Sequence, residues 1–177
     1  QWHAQYRPED VALPHNFLAE HPFDTGELDV RDELLAAKPR DPDEVRKHIA
    51  DYYAMTAHMD DGIGRILAAL DARGLTDDTV FVHTSDHCLA VGQHGLMGKQ
   101  NLYDHSMRVP LLVRGPGVAA GRRDDRLCYQ HDLFPTLLQL AGADVPATCE
   151  FRSLLEAPAY DTLFTAYREV MRAVRDD

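Results

Sequence analysis

A long amphipathic helix is the feature that most constrains how this chain folds. The helix begins at residues 41–44 (Asp-Pro-Asp-Glu), where an N-cap aspartate precedes a proline at the first helical position and two acidic residues. Mostly apolar residues then recur at three- and four-residue steps and form one stripe, namely Val45, Ile49, Tyr52, Thr56, Met59, Ile63, Ile66 and Leu70. Gly74 is the expected C-cap. Gly62 and Gly64 weaken an isolated helix, so tertiary packing must hold that part.

Two short strands and a second helix follow the long helix. The β-branched and aromatic run Thr79–Thr84 predicts a strand, and Pro110–Arg114 predicts another. Between them, residues 85–100 lack periodicity and contain three glycines, which predicts a long loop. Asp132–Ala141 predicts a helix with Asp132 as its cap. This helix–strand–loop–strand–helix order predicts an α/β layer architecture.

The two ends of the chain are less regular. Residues 1–40 are rich in proline and short polar residues, which predicts irregular chain that covers the core, with one short helix at Asp29–Ala37. Near the other end, Leu163–Tyr167 and Met171–Val174 fit a strand pair or a single helix, and we favour strands.

Composition excludes several classes of function. The formal net charge of −11 argues against a nucleic-acid partner, because phosphate backbones are bound by clustered Lys and Arg. A small anionic substrate stays compatible, because a site can be locally cationic on an acidic protein. No apolar run approaches the roughly 18 residues of a membrane-spanning helix. Three scattered cysteines predict neither a disulfide framework nor a structural zinc site.

Asp86 and His87 come directly after the first predicted strand. Ligands of open α/β sheets bind at loops that leave the carboxyl ends of strands. A carboxylate and a neutral imidazole are both ligands of divalent cations, so this pair is a candidate metal site. The alternative is that Asp86 caps a turn and His87 lies on the surface.

A glycine-bracketed loop ends in Lys99, one of only three lysines in the chain. Its glycines allow sharp bends and close approach of the backbone to a ligand. A lysine beside a metal suits a tetrahedral oxyanion, whose charge it neutralises. The alternative is a solvated lysine on a flexible loop.

Residues 40–145 carry an ordered series of motifs. They include Met59-Asp-Asp-Gly-Ile-Gly-Arg65, Thr84-Ser-Asp-His87, Gly92-Gln-His-Gly95, Gly98-Lys99, Arg108-Val-Pro-Leu-Leu112, Gly115-Pro-Gly117, His131-Asp-Leu-Phe-Pro-Thr136 and Leu140-Ala-Gly142. In order and spacing, this series resembles the type I sulfatases of the alkaline phosphatase superfamily. The resemblance implies an α/β sandwich with a central mixed sheet between helices, of which this chain holds part. It assigns residues 41–145 to the C-terminal part of the catalytic domain and 146–177 to the start of a truncated C-terminal strand region.

The same resemblance implies roles for individual residues. Asp86 and His87 match one pair of ligands to the active-site divalent cation, which is commonly calcium and sometimes manganese. Lys99 matches the lysine that contacts the oxygens of the sulfate ester. His94, in the Gly-x-His-Gly motif, is expected next to the site, where a structural role and a chemical role remain equally open. His83, His105 and His131 are expected to be structural or on the surface.

The resemblance implies hydrolysis of a small anionic sulfate ester by a formylglycine nucleophile, formed in a Cys/Ser-x-Pro/Ala-x-Arg motif. That motif is not in these 177 residues: Cys88, Cys128 and Cys149 all lack an arginine four positions on. We therefore expect an internal fragment that is inactive alone. Cys88 also stands where the family usually has glycine, which predicts strain if that backbone needs a positive φ.

Two alternatives remain open from the sequence. One is a phosphate or phosphonate ester hydrolase of the same superfamily, and the other is a non-catalytic remnant of the fold. Family members are often exported, periplasmic or lysosomal, but neither the compartment nor the oligomeric state follows from this chain.

Overall fold

A computed structural model describes residues 2–155 and 158–176. Its dominant element is helix α1, Pro42–Asp71, which confirms the predicted long helix. Oδ1 of Asp41 accepts hydrogen bonds from the amides of Asp43 (2.9 Å) and Glu44 (2.8 Å), so the predicted N-cap is also confirmed. Regular helix ends at Asp71, and Gly74 follows in the left-handed region at φ 66°.

The two predicted strands form an antiparallel pair. Strand β1 is Phe81–Thr84 and strand β2 is Leu111–Arg114, with Phe81 opposite Arg114 and Thr84 opposite Leu111. Both strands begin later than predicted. The Thr79 hydroxyl bonds back to the carbonyl oxygen of Leu75 (2.7 Å) and stays with the preceding turn. Pro110 has no N–H to give to a sheet.

Two further helices lie downstream of β1. Helix α2 is the short Asp104–Met107, and α3 is Leu133–Leu140. The predicted second helix is thus confirmed, and Asp132 occupies its N-cap position, but the Asp132 side chain does not bond to the amides of the first turn of α3. The Asp132 carboxylate instead accepts hydrogen bonds from the backbone amides of Tyr129 (2.8 Å) and Arg152 (3.1 Å) and from the Tyr160 hydroxyl (2.9 Å). Burial, and then this hydrogen bond, raises the pKa of Tyr160 to about 12.

The C-terminal residues form a hairpin, which confirms the strand prediction. Strand β3 is Thr162–Tyr167 and β4 is Met171–Asp176. Arg168, in the turn, contacts the buried Glu27 carboxylate (3.1 Å), and Arg175 pairs with Asp104 (2.5 Å). These two ion pairs attach the hairpin to distant parts of the chain.

Residues 2–40 contain short 3-10 helices rather than α-helix. The helix predicted at Asp29–Ala37 is reduced to one 3-10 turn, Glu33–Leu35, after which Nη1 of Arg40 donates to the backbone carbonyl oxygens of Glu33 and Ala36. The core unites this segment with the first half of α1 and the glycine-bracketed loop. Its buried members are Val11, Ala36, Val45, Ile49, Ala50 and Met97.

The apolar stripe of α1 is buried only in its first half. Val45 is fully buried, whereas Met59 and Ile66 are more than half exposed. In residues 2–155 and 158–176, no helix is both long and apolar enough to cross a membrane.

Candidate active site

Asp86 and His87 lie at the turn that leaves strand β1. Oδ2 of Asp86 is 3.2 Å from Nε2 of His87, so the structure brings the two predicted ligands together. The Ser85 hydroxyl donates to the carbonyl oxygen of His87 (2.7 Å), and the Gln130 side chain donates to the carbonyl oxygen of Ser85 (2.9 Å). One hydrogen bond within the turn and one from the segment before α3 therefore fix the backbone of the turn.

The environments of these two side chains differ. The Asp86 side chain is 83% exposed, while that of His87 is 34% exposed. Nδ1 of His87 is buried and has no hydrogen-bond partner within the described residues. A buried ring nitrogen without a partner is uncommon in folded proteins, because it loses its hydration without compensation. It is consistent with a ligand that the described chain does not itself contain.

These features provide part of the ligand set that a divalent cation needs. One carboxylate and one imidazole are suitable donors, and the exposed carboxylate is open to an ion. Across the described ranges, however, no three His, Cys, Asp or Glu side chains are grouped closely enough to hold a metal ion. Asp86 and His87 therefore fit as two ligands of a larger set.

Cys88 does not carry the predicted strain. Among the described residues, the non-glycine positions with positive φ are Val91, His94 and Arg168. Cys88 is thus accommodated without a left-handed backbone. Burial, and then the nearby Asp86 carboxylate, raises the pKa of its thiol, which opposes a reactive thiolate.

The glycine-bracketed loop folds back on itself and returns Lys99 towards the Asp86–His87 turn. The Ala90 amide donates to the carbonyl oxygen of Gly98 (3.0 Å), and the Gly92 amide donates to that of Leu96 (2.7 Å). Lys99 follows Gly98 directly, so it comes back to the end of this loop at which His87 enters. The backbone before Lys99 therefore lies beside the segment that follows His87, while the Lys99 side chain contacts a different part of the chain.

Lys99 itself is held against the N-terminal segment. Its Nζ is 3.8 Å from Oδ2 of Asp32, and its side chain is 27% exposed. Gln100 bonds to the same carboxylate oxygen through Nε2 (2.8 Å). The predicted alternative, a freely solvated lysine, is therefore not what the structure shows.

A buried ion pair between Glu33 and Arg40 holds the backbone of the loop in place. The Glu33 carboxylate accepts hydrogen bonds from the amides of Met97 (2.9 Å) and Gly98 (2.8 Å). Nη2 of Arg40 lies 2.6 Å from the same carboxylate, and Nε of Arg40 donates to the carbonyl oxygen of Gly95 (3.0 Å). Both side chains are essentially inaccessible, at 2% and 0% exposure. The backbone just before Lys99 is therefore fixed by two charges that the chain has fully desolvated and paired.

His94 lies on the other side of the loop. Its ring stacks on Tyr103 (centroids 4.2 Å apart), and its Nε2 is 3.0 Å from Nδ2 of Asn16. Its backbone amide also donates to the Asn16 carbonyl oxygen (2.9 Å). His105 is 5.9 Å away, and burial, then the neighbouring His94, lowers its pKa to about 4. These contacts tie His94 into the loop and its neighbours, which favours a structural role.

Asp32, Glu33 and Arg40 were not predicted from the sequence as site residues. They lie in a segment without periodicity, and their contacts with the loop join residues more than fifty positions apart, so no local pattern marks them. The one available signal is a pair of adjacent carboxylates in a proline-rich stretch, which usually indicates a solvated surface.

Two cavities of the structure lie away from the three predicted site residues. One cavity of about 240 Å³ lies between α1 and β1, lined by Leu67 and Phe81 among others. Another, of about 300 Å³, lies beside Glu27 and Arg168. Neither is lined by Asp86, His87 or Lys99.

Comparison with known proteins identifies the family. The family model described as Sulfatase matches residues 14–143. The multifunctional alkaline phosphatase superfamily protein PehA of Trinickia caryophylli is 32% identical over an alignment of 169 residues, and the match covers 87% of this chain and 33% of PehA. Arylsulfatase K of Xenopus laevis is 37% identical over 112 residues, 63% of this chain and 21% of that protein.

A solved structure agrees with these relatives. The phosphonate monoester hydrolase SpPMH from Silicibacter pomeroyi superposes with a TM-score of 0.76 at 27% identity, over 93% of this chain and 36% of that one. The predicted alkaline-phosphatase-like fold is thus confirmed. The chain spans a third or less of the length of the curated relatives named above. From the family match and this likeness together, the chain belongs to the type I sulfatase family of the alkaline phosphatase superfamily.

Proposed function

We propose that this chain carries the cation-binding and sulfate-binding part of the active site of a sulfuric ester hydrolase. The observation that supports this proposal most is the folded-back loop of a chain of the sulfatase family, in which the Ala90–Gly98 hydrogen bond brings the backbone before Lys99 beside the segment that follows His87. A lysine and a carboxylate–imidazole pair at one end of a loop provide positive charge and metal ligands, the two requirements for binding a sulfate ester.

The proposed roles follow from the chemistry of each side chain. Asp86 and His87 hold a divalent cation, with calcium as our first assignment and manganese as the second. When bound, such a cation neutralises negative charge on sulfate oxygens. Lys99 donates hydrogen bonds from its ammonium group to the same oxygens and stabilises the charge that shifts during sulfuryl transfer.

The nucleophile is proposed to come from outside these 177 residues. We infer a formylglycine made in a Cys/Ser-x-Pro/Ala-x-Arg motif, which this sequence does not contain. The purified chain alone is therefore expected to release no p-nitrophenol from p-nitrophenyl sulfate above the buffer rate. Turnover that copurifies with the 177-residue chain would contradict this part of the proposal.

A chimera tests the activity itself. Residues 14–143 of this chain, the part that the family model matches, would replace the corresponding segment of PehA. If circular dichroism shows that the chimera is folded, we expect it to hydrolyse p-nitrophenyl sulfate.

In the chimera, Lys99→Ala is expected to reduce kcat/KM by about 100-fold or more, the size of effect seen when one charge-stabilising donor is removed. Lys47→Ala, an exposed lysine on α1, is the matched control and should leave the rate unchanged.

The phosphonate alternative has its own support, because a structural neighbour is a phosphonate monoester hydrolase. A chimera that hydrolyses phosphonate monoesters but no sulfate ester would favour that alternative. A folded chimera without either activity would favour the non-catalytic remnant.

A further inference from the structure

Two adjacent carboxylates, Asp32 and Glu33, both reach the loop that carries Lys99. Glu33 holds the loop backbone through the amides of Met97 and Gly98. Asp32 engages side chains instead: Gln100 at 2.8 Å and the Lys99 ammonium group at 3.8 Å. Consecutive residues thus contact the main chain and the side chains of one short stretch.

Asp32 has the charge and burial that such a contact requires. Its side chain is only 10% exposed, and Oδ1 accepts a hydrogen bond from Nε of Arg31 at 2.6 Å. The Arg31 hydrogen bond, followed by that from Gln100, lowers the pKa of Asp32 to about 2. The carboxylate is therefore ionised throughout the neutral range, and it faces Lys99 as a full negative charge.

We propose that Asp32 is a positioning residue for Lys99, whose ammonium group it holds in place for the oxygens of the sulfate ester. This inference rests on the proposed function. Fixing a lysine side chain costs free energy, because its rotamer freedom is lost. Because Asp32 already restricts Lys99, the side chain loses less rotamer freedom when the substrate binds.

The geometry leaves Lys99 able to bind an anion. At 3.8 Å, the contact with Asp32 is an ion pair longer than a hydrogen bond, so the three N–H donors of the ammonium group remain available. Arg31 and Gln100 already bond to the Asp32 carboxylate, which reduces the repulsion that this charge exerts on an incoming sulfate.

The chain also contains a matched control. Asp29 lies three positions before Asp32 and pairs with a different lysine, Lys38, at 3.0 Å. The side chain of Asp29 is 92% exposed. Asp29→Asn therefore removes the same charge from the same segment without touching Lys99.

The three lysines of the chain make the test direct, because selective ¹³C labelling of lysine gives one Cε signal each for Lys38, Lys47 and Lys99. In the wild type, we expect the Lys99 methylene to be more restricted on the nanosecond timescale than that of Lys47. Asp32→Asn should make Lys99 as mobile as Lys47 and leave Lys38 unchanged. Asp29→Asn should leave Lys99 restricted, and Lys38 keeps its hydrogen bond to the Leu28 carbonyl oxygen in that variant.

Two further readouts separate positioning from a general structural effect. The amides of Met97 and Gly98 should keep their chemical shifts in Asp32→Asn, because Glu33 still holds them. Asp32→Glu should restore part of the Lys99 restriction. The proposal is overturned if Lys99 mobility is unchanged in Asp32→Asn, or if it rises only together with disorder of the Met97 and Gly98 amides.

A titration with inorganic sulfate tests the anion. Sulfate should shift the Lys99 Cε signal of the wild type, and Asp32→Asn should weaken that binding by about fivefold, since part of the rotamer cost returns. Equal sulfate affinity in both proteins would overturn the proposed consequence for substrate. If sulfate moves no lysine signal, the proposed function of Lys99 is contradicted, whereas the mobility comparison, which needs no ligand, still decides whether Asp32 holds Lys99.

Discussion

At the scale of single residues, the Glu33–Arg40 pair is the most consequential contact in the described chain. Two charges are removed from water there, and each is compensated by the other and by backbone groups of the Lys99 loop. Such a pair is costly to break, because removing one partner leaves the other charge buried and unpaired.

Glu33→Gln should therefore reduce the free energy of unfolding by about 3–5 kcal/mol in urea titrations. The matched change Asp29→Asn breaks an exposed pair with Lys38 and should cost less than about 1 kcal/mol. Equal costs for the two variants would show that the buried pair does not hold the loop.

Gly95 is a second critical residue of the loop. Its φ is 76°, and an added Cβ would lie 2.5 Å from the backbone nitrogen of His21 and 2.7 Å from the Glu20 carbonyl oxygen. Gly95→Ala should therefore destabilise the chain by about 2 kcal/mol or more in thermal or urea unfolding. Gly64→Ala, in the interior of α1 with no atom near the added Cβ, should instead stabilise it by about 0.5–1 kcal/mol. A loop that tolerates alanine at Gly95 as well as the helix does at Gly64 would contradict the structure.

Acid should act on Asp32 in a defined pH window. Its pKa is lowered from 3.8 to about 2 in the folded chain, chiefly by the Arg31 hydrogen bond. A group with a lowered pKa contributes stability above its unfolded value, and that contribution is lost as the pH falls from about 4 to about 2. The difference in unfolding free energy between the wild type and Asp32→Asn should therefore shrink over that window. Asp124, whose pKa Arg126 lowers to about 2, is unchanged in both proteins and cancels in the comparison. A difference that stays constant from pH 6 to pH 2 would contradict the ion pairs of Asp32.

Residue roles were predictable from sequence only where the motif was local. Asp86, His87 and Lys99 occur in short spaced motifs, so a single stretch of sequence marks them. Asp32, Glu33 and Arg40 contact the Lys99 loop across more than fifty positions of sequence, and nothing in the chain near them indicates burial. The role of Asp132 was misjudged for the same reason, because its partner Tyr160 lies 28 residues away.

At the scale of elements, helix α1 was the most predictable, because its cap and its stripe are both local signals. The stripe did not indicate which part of the helix is covered. Residues 2–40 and the loop bury the first half, and the second half keeps apolar side chains exposed. Tertiary packing, which periodicity does not encode, determines that difference.

This division along α1 gives a prediction. Val45→Ala should destabilise the chain by about 2 kcal/mol, since Val45 is fully buried in the core. Ile66→Ala removes a larger side chain but should change stability by less than about 0.5 kcal/mol, because Ile66 is 58% exposed. Urea unfolding of both variants measures this, and a larger cost at Ile66 would mean that the second half of α1 is packed in solution.

At the scale of the whole molecule, residues far apart in sequence are assembled around one loop. The N-terminal segment supplies the carboxylates beneath it, α1 supplies apolar packing, and the turn after β1 supplies the proposed metal ligands. The family and its fold could be predicted from the ordered motifs over residues 40–145. The support around Lys99 could not, because it depends on where the irregular segment lies in three dimensions.

Binding of manganese to the chain, followed by paramagnetic broadening of its NMR signals, tests the central assignment most directly. At millimolar or lower Mn²⁺, signals of His87 and its neighbours and the Cε signal of Lys99 should broaden first. Asp86→Asn together with His87→Ala should abolish that broadening, and excess calcium should reverse it. No broadening at millimolar manganese, or broadening centred on an exposed acidic run such as Asp124-Asp125 instead, would contradict the assignment of Asp86, His87 and Lys99 to one cation-dependent site.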